Sequence, residues 1–280
     1  MSDTFASVSA YGGITNRRIT VTDLAKAKEA SEKWPMLTAY DAMVAGLLDE
    51  AGIPVLLVGD SAAMVVHGHS TTLPITVDDL VPLTSAVVRG TTRALVVADL
   101  PFGSYQEGPK QALRSATRFM KEAGAHAVKL EGGVRVVPQI QTLVEAGIPV
   151  MAHIGLTPQS VNTIGGYKVQ GRGEAGHVLL DEAFAVQEAG AFAVVLEVVP
   201  HDLAERVTKE LDIPTIGIGA GNSTDAQVLV WQDLLGLTPG RAPKFVKPYA
   251  DLRGIMTTAV QTWAADVVSG EYPDLDHSYN

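Results

Sequence analysis

The stretch Val55-Leu-Leu-Val-Gly-Asp-Ser61 decides how this chain folds. Four consecutive apolar residues are typical of a strand that is buried on both faces, as in a parallel sheet. Gly59 then allows a close turn, and Asp60 and Ser61 follow at the carboxyl end of the strand. Enzymes built on parallel sheets carry their chemical groups at that end. The stretch therefore predicts a parallel sheet with a functional site on its carboxyl edge.

Two later apolar runs end on a carboxylate in the same way. The run at 94–99 ends at Asp99, and the run at 127–131 ends at Glu131. Because the carboxyl ends of parallel strands meet at one rim, we expect these acids to lie near Asp60.

A short phrase of glutamate, alanine and glycine recurs before the predicted strands. It occupies positions 50–52, 122–124, 145–147 and 188–190. Glycine at the end of each phrase is typical of the left-handed residue that closes a helix. A helix end followed at once by a buried strand, used repeatedly, predicts βα units and a parallel sheet.

Eight candidate strands can be counted, the last of them weaker than the others. Eight strands favour a closed (β/α)8 barrel, a fold that typically needs about 250 residues. An open, doubly wound sheet is the alternative. The candidate strands are 36–40, 55–60, 94–99, 127–131, 149–154, 192–198, 214–218 and 243–247.

The ends of the chain differ from this repeating middle. Residues 1–21 are polar and contain glycine, which indicates a flexible N-terminal arm. No linker or shift in composition divides residues 22–280, so we expect a single domain there. Within it, Thr22 and Asp23 can cap a short helix that runs to about Glu32, and the pattern from Asp251 to about Ser269 is helical. These extra helices are candidates for packing on a neighbouring subunit.

The composition excludes several classes of protein. The 280 residues are 46% hydrophobic and 19% charged, with a net charge of −10, which disfavours nucleic acid and anionic membranes as partners. The absence of cysteine excludes disulfides, thiolate metal sites and a cysteine nucleophile. No signal segment and no long apolar span is visible, so a cytoplasmic protein is expected.

The acids at the strand ends suggest a metal site. Asp60, Asp99 and Glu131 offer oxygen ligands, and Mg²⁺ usually takes one or two protein carboxylates together with water. Three neighbouring acids would repel one another unless a cation or protons intervened. The alternative is that each acid only caps the next helix or pairs with a lysine.

Three further side chains are candidates for the same rim. Lys129 lies on the same strand face as Glu131, so it is expected to meet an anion such as a substrate carboxylate or Asp99. Glu197 ends an apolar strand and can act as a general base or acid, although a helix cap or salt bridge is the alternative. His153 is a supporting candidate, although a lone histidine at such a position is more often a hydrogen-bonded structural group than a catalyst.

Two glycine-rich stretches follow later strands. The basic stretch Gly165-Gly-Tyr-Lys-Val-Gln-Gly-Arg-Gly173 suggests a lid or a binding loop, with a plain surface loop as the alternative. The stretch 217–221 departs from the dinucleotide-binding pattern, and residues 222–224 are expected to cap a following helix.

Several long phrases, spread in order over residues 34 to 280, resemble the ketopantoate hydroxymethyltransferase family. Together they are far more specific than any single motif. The phrases are Leu37-Thr-Ala-Tyr-Asp41, Val58-Gly-Asp-Ser61, Gly68-His-Ser-Thr-Thr-Leu-Pro74, Ala98-Asp-Leu-Pro-Phe102, Val128-Lys-Leu-Glu-Gly-Gly133, His153-Ile-Gly-Leu-Thr-Pro-Gln-Ser160, the 165–173 stretch and Ile216-Gly-Ile-Gly-Ala-Gly-Asn222.

The resemblance implies a barrel of the phosphoenolpyruvate/pyruvate-utilising type and a homodecamer. It also implies a reaction in which a hydroxymethyl group is transferred from 5,10-methylenetetrahydrofolate to 3-methyl-2-oxobutanoate. The product would be 2-dehydropantoate (ketopantoate), formed through a magnesium-stabilised enolate in pantothenate and coenzyme A synthesis. By matching motifs, one Mg²⁺ per subunit would be held by Asp60 and Asp99, and by Glu131 through water. Asp60, Ser61, Asp99 and Lys129 would bind the substrate. Glu197 would accept the proton, with His153 in support.

Two other functions remain open at this point. A magnesium-dependent aldolase or lyase acting on 2-oxo acids would need the same metal and enolate but no folate. A non-catalytic barrel that only binds a ligand would use the acids as helix caps.

Overall fold

The computed structural model of the protein describes residues 9–279. Its centre is a closed barrel of eight parallel strands in sequential order, each paired with its neighbours and β1 with β8. This confirms the predicted (β/α)8 barrel and excludes the open sheet. The strands are β1 Trp34–Thr38, β2 Val55–Val58, β3 Leu95–Asp99, β4 Ala127–Glu131, β5 Val150–Gly155, β6 Ala193–Glu197, β7 Thr215–Ile218 and β8 Ala226–Leu229.

Helices connect the strands. Asp41 caps α2 by accepting a hydrogen bond from the Val44 amide, and Thr76 and Asp79 form a capping box that begins α4. The helices are α1 Val21–Glu29, α2 Ala42–Glu50, α3 Ala62–Val65, α4 Val77–Gly90, α5 Pro109–Arg118, α6 Val137–Glu145, α7 Val161–Ile164, α8 Ala175–Glu188, α9 His201–Glu210, α10 Trp231–Leu234 and α11 Leu252–Ser269.

The recurring phrase behaves as predicted. The glycines that close it, Gly52, Gly124, Gly147 and Gly190, all have positive φ angles, of 93°, 74°, 81° and 94°. A residue with a Cβ is strained in that region, so each glycine ends its helix and turns the chain into the next strand.

The prediction of the eighth strand at 243–247 was wrong. The strand that closes the barrel is Ala226–Leu229, which pairs with β7 on one side and with β1 on the other. Residues 222–224 lead into this strand rather than into a helix. The strand was missed because it is only four residues long and includes the polar Gln227, whereas Phe245 and Val246 offered a more apolar run between prolines.

The inward-facing side chains of the barrel are apolar at the start of the strands and charged near their carboxyl ends. Alternate residues face inward, and those near the start of each strand, such as Leu95, Val97, Ala127 and Met151, form one buried apolar cluster. The inward positions that follow on β3 and β4 are Asp99, Lys129 and Glu131. The polar groups are therefore confined to the carboxyl end of the barrel.

Part of the predicted N-terminal arm belongs to this apolar cluster. Ala10, Ile14 and Ile19 are buried and pack with the first residues of the strands. This burial is hard to predict from the local pattern, because the two isoleucines stand alone among polar or glycine neighbours. Residues 1–8 lie outside the described residues.

Helix α1 is capped two residues earlier than expected. Thr20 is its N-cap, and the Thr20 amide donates a hydrogen bond to the Asp23 carboxylate. The Thr22-Asp23 start was therefore placed slightly too late.

The chain divides into two compact units, residues 1–230 and residues 231–280. The first contains the whole barrel. The second contains α10 and α11, and α11 covers the predicted range, with Asp251 as its N-cap. The single domain expected for residues 22–280 stays a prediction. Among the described residues, no helix is long and apolar enough to cross a membrane.

Candidate active site

Strands β2, β3 and β4 deliver four charged side chains to one buried place. Asp60 lies two residues after the end of β2, Asp99 ends β3, and Lys129 and Glu131 lie two residues apart on β4. Their exposed fractions are 5%, 1%, 4% and 5%. Buried charges persist only when they are paired, so this grouping is unusual for a purely structural core.

Lys129 and Asp99 form the central ion pair. Lys129 Nζ donates to Asp99 Oδ1 at 2.7 Å and to Asp99 Oδ2 at 2.8 Å. The Asp60 amide also donates to Asp99 Oδ2, at 3.2 Å. One lysine thus faces three carboxylates, and negative charge is left in excess.

The excess charge changes how the cluster holds protons. Burial, together with the charge of Asp99, raises the pKa of Asp60 to about 7. Burial and the charge of Asp60 likewise raise the pKa of Glu131 well above its ordinary range. For Lys129, burial acts to lower the pKa, but the three carboxylates outweigh it and the pKa rises. The lysine therefore stays charged, while the cluster favours any further positive charge.

Gln159 joins the carboxylates to one another. Its Nε2 donates to Asp60 Oδ2 at 3.0 Å, and its backbone amide donates to Glu131 Oε2 at 3.0 Å. Tyr105 donates from its hydroxyl to Gln159 Oε1 at 2.7 Å, which fixes the orientation of the amide. The Leu100 carbonyl accepts a second bond from Nε2. Sequence reasoning missed Gln159 and Tyr105, although Gln159 stands inside the quoted phrase 153–160.

Strands β5 and β6 add a histidine and a second glutamate. His153 Nδ1 lies 3.6 Å from Glu131 Oε1, and His153 Nε2 lies 3.2 Å from Glu197 Oε2. Within residues 9–279 neither ring nitrogen makes a well-aligned hydrogen bond, so these contacts are close approaches only. The Glu197 side chain is 16% exposed, against 3% for His153. Glu197 is thus the carboxylate nearest to solvent and to an incoming ligand.

The backbone just after Glu197 is strained. Val198 has a φ of 50°, a conformation that a β-branched residue rarely adopts. Its amide donates to the Ile218 carbonyl at 2.8 Å, and its carbonyl accepts from the Gln170 amide at 3.0 Å. Such strain persists only where surrounding bonds enforce it, and it is common beside functional groups. The glycine-rich 165–173 stretch is one of those restraints.

Ser61 lies next to Asp60 and contacts a tyrosine that was not predicted to belong to the site. Its Oγ is 2.7 Å from the Tyr40 hydroxyl. The structure therefore brings together all seven residues that the sequence predicted: Asp60, Ser61, Asp99, Lys129, Glu131, His153 and Glu197. Their roles are a separate question from their placement.

A closed parallel barrel with buried carboxylates and a lysine at the carboxyl ends of its strands defines an enzyme of the (β/α)8-barrel class. The family described as ketopantoate hydroxymethyltransferase matches residues 18–275. This chain belongs to that family, and it is an enzyme of the hydroxymethyltransferase type.

Relatives named 3-methyl-2-oxobutanoate hydroxymethyltransferase match nearly the whole chain. The protein of Frankia casuarinae is 68% identical over 262 residues, which cover 94% of this chain and 88% of the relative. That of Streptomyces coelicolor is 67% identical over 269 residues, with 96% and 92% covered. That of Thermobifida fusca is 62% identical over 280 residues, and both chains are covered completely.

More distant solved structures share the fold. A 2,3-dimethylmalate lyase of the PEP mutase/isocitrate lyase superfamily has a TM-score of 0.57 at 19% identity, covering 94% of this chain and 92% of that one. A phosphoenolpyruvate phosphomutase from Streptomyces platensis has a TM-score of 0.60 at 17% identity, covering 90% and 88%. At these identities the likeness concerns the fold alone, and it agrees with the predicted type of barrel.

Proposed function

We propose that the enzyme transfers a hydroxymethyl group from 5,10-methylenetetrahydrofolate to 3-methyl-2-oxobutanoate, forming 2-dehydropantoate for pantothenate and coenzyme A synthesis. In the balanced reaction one water is consumed and tetrahydrofolate is released. The names of the full-length relatives support this substrate. The observation that carries the proposal is the buried cluster in which one lysine faces three carboxylates, because it suits an anionic ligand and a cation together.

The donor set fits a single Mg²⁺ ion. Within the described part of the chain, no group of three or more carboxylate and histidine side chains is arranged to enclose a metal. Mg²⁺ does not require such a cage, because it keeps several waters and takes one or two carboxylates plus ligand oxygens. Asp60 and Asp99 would hold it directly, and Glu131 through water. Bound there, the ion would polarise the keto oxygen of the substrate and acidify its C3 proton.

Lys129 and Ser61 are placed to bind the 2-oxo acid. Lys129 carries three N–H donors, so it can keep its bond to Asp99 and still donate to the substrate carboxylate. Ser61 can donate its hydroxyl proton to a substrate oxygen while it accepts from Tyr40. A lysine that keeps its charge when buried is suited to fixing a carboxylate rather than to forming a Schiff base.

Glu197 is proposed as the base that removes the C3 proton. It is the partly exposed member of the site, and the contact with His153 restricts one of its oxygens. His153 lies between Glu131 and Glu197, so it can accept or return a proton as the charge of Glu197 changes. The carbon that loses its proton then forms the new bond to the one-carbon unit.

We also propose that the protein is a homo-oligomer, the decamer implied by the family resemblance. Helix α11 supports this, because none of its described side chains is buried. Ile255, Val260 and Trp263 expose 62%, 61% and 55% of their surfaces. Light scattering coupled to gel filtration measures the mass, and a monomer would contradict the proposal.

A proton NMR time course in deuterated buffer tests the reaction. One tube contains the protein, MgCl₂, 3-methyl-2-oxobutanoate and methylenetetrahydrofolate, and a second tube lacks the folate. We expect loss of the C3 proton signal, and 2-dehydropantoate signals only where folate is present. Exchange of the C3 proton without any folate-dependent product would instead favour an aldolase or lyase.

The metal site has its own test. Asp60→Asn should abolish magnesium-dependent exchange, whereas Asp78→Asn should leave it unchanged, because Asp78 is an exposed aspartate paired with Arg118. Normal exchange by a folded Asp60→Asn variant would contradict the role of Asp60 at the metal.

A further inference from the structure

A cavity opens beside the site, on the same rim of the barrel. Its volume is about 480 Å³, within the range of small-molecule sites, and its lining includes Arg172, His177, Asp202 and Arg206. Pro200, three residues after Glu197, also lines it.

The glycine-rich stretch connects this cavity to the site. The Gln170 amide donates to the Val198 carbonyl, which holds the loop against the end of β6. Arg172 follows two residues later. At Gly171 an added Cβ would lie 2.6 Å from Leu203 Cδ2, so this glycine allows the loop to pack directly against α9. The position of Arg172 beside α9 is therefore set by backbone contacts.

The cavity is positively charged although the chain as a whole is acidic. Two guanidinium groups and one carboxylate line it, while the net charge of the protein is −10. Among residues 9–279, Arg172 and the ring of His177 make no hydrogen bond or ion pair. Arg206 uses its Nε to bind Glu210 at 2.6 Å, which leaves its two terminal nitrogens available.

Two helices begin at the cavity. The first turns of α8 and α9 contribute His177 and Asp202 to the lining. In the described chain neither helix has a side chain that caps its first turn, at Glu174 or at Pro200. Uncapped amide groups and the positive ends of two helices add to the charge of the arginines. The combined features suit a ligand with more than one negative group.

We propose that this cavity binds the carboxylates of the glutamyl tail of the folate co-substrate. The proposal rests on the proposed function. The one-carbon unit lies at the pterin end of the folate, so that end must reach Glu197 while the tail extends outward along the rim. The tail carries two carboxylates, and guanidinium groups bind carboxylates in a bidentate manner. The carboxylate of the 2-oxo acid is assigned to Lys129 in the buried cluster, so the cavity remains for the second substrate.

The test compares two co-substrates, methylenetetrahydrofolate and methylenetetrahydropteroate, which lacks the glutamate. Arg172→Gln and Arg206→Gln should each raise the KM for the folate about 5-fold, the size expected for an exposed ion pair. The double variant should raise it about 25-fold if the two arginines act independently. The KM for the pteroate, the KM for 3-methyl-2-oxobutanoate and kcat should not change. Titration calorimetry with tetrahydrofolate should show the same losses in affinity without turnover.

A matched control exists elsewhere on the rim of the barrel. Arg114 lines another rim cavity, on α5 after β3. Arg114→Gln should leave the KM for the folate unchanged. A rise for Arg114→Gln, or equal effects on folate and pteroate in the Arg172 and Arg206 variants, would overturn the tail site.

Failure of the site and failure of the reaction can be told apart. Product formation with equal KM values for folate and pteroate in the unaltered enzyme would overturn the tail site and keep the transferase. No product with either pterin, and no binding of tetrahydrofolate, would overturn both.

Discussion

The side-chain amide of Gln159 donates a hydrogen bond to Asp60 across 3.0 Å, although 99 positions separate the two residues in the chain. This bond joins the loop after β5 to the loop after β2. Through its backbone amide, Gln159 also holds Glu131, so one residue orients two of the buried carboxylates.

Replacing Gln159 with alanine should affect both stability and metal binding. The change removes the Gln159 donor from Asp60 Oδ2 and from the Leu100 carbonyl, and we expect the free energy of unfolding to fall by about 2–3 kcal/mol. We also expect Mn²⁺, a spectroscopic substitute for Mg²⁺, to bind about 10-fold more weakly, because residues behind metal ligands orient them. Urea denaturation and electron paramagnetic resonance measure the two effects.

Gln139→Ala is the matched control for this experiment. Gln139 is also a buried glutamine, and its Nε2 donates to the Tyr105 carbonyl at 3.3 Å. Its loss should lower stability but not the affinity for Mn²⁺. An unchanged Mn²⁺ affinity in Gln159→Ala would reduce Gln159 to a structural residue.

Glu197→Gln should separate binding from proton removal. The amide keeps the shape of the side chain but cannot act as a base, so exchange of the C3 proton should slow by about 10²–10⁴-fold. Binding of 3-methyl-2-oxobutanoate by titration calorimetry should persist. Glu205→Gln on α9, an exposed glutamate that pairs with Lys209, should exchange at the normal rate. Near-normal exchange in Glu197→Gln would remove this residue from the base role.

The strain at Val198 predicts an unusual order of stabilities. Glycine normally destabilises a folded chain relative to alanine. At a φ of 50°, however, the Cβ of alanine lies too close to the backbone, and glycine has no Cβ. We therefore expect Val198→Gly to have a free energy of unfolding about 1 kcal/mol above that of Val198→Ala. Urea denaturation of the two variants measures the difference. Greater stability of the alanine variant would mean that the left-handed conformation carries no strain.

His126 should make the protein sensitive to mild acid. Burial, together with the nearby Arg18 charge, lowers the pKa of His126 to about 4, and the ring nitrogen Nδ1 accepts a hydrogen bond from the Val96 amide. In the unfolded chain the pKa is about 6.5, so the unfolded state binds the proton first and stability falls as the pH drops from 6.5 to 4. Because the ring is only partly buried, we expect a loss of about 1–2 kcal/mol from this group.

His126→Asn tests this dependence on pH. The variant cannot take up the proton, so its free energy of unfolding should change less between pH 6.5 and pH 4 than that of the unaltered protein. His69→Asn serves as the control, because His69 is exposed. Equal slopes for all three proteins would show that other groups cause the acid sensitivity.

The sequence predicted seven of the eight strands because they are mainly apolar runs, four of which follow a glycine that ends a helix. It failed at Ala226–Leu229, where the strand is held by its two neighbours rather than by its own composition. Parallel pairing over a few residues leaves little trace in the local pattern.

In the candidate site, too, residues with a local sequence pattern were predicted and residues held by distant contacts were not. Asp60, Asp99 and Glu131 were predicted because each ends an apolar strand. Gln159 and Tyr105 lie in loops, and their importance comes from bonds to residues distant in the chain, which no local pattern records. The cavity at Arg172 and Arg206 likewise depends on the packing of a loop against a helix.

The burial of Ile14 and Ile19 beneath the strands has a consequence for the far end of the barrel. With these side chains in place, the medium below Lys129 and Asp99 is hydrocarbon of low permittivity, and water does not screen their attraction from that side. A segment of the chain that touches no ligand thus sets the strength of the electric field in which the reaction would take place. Removing it would admit solvent to the barrel from below and weaken that field.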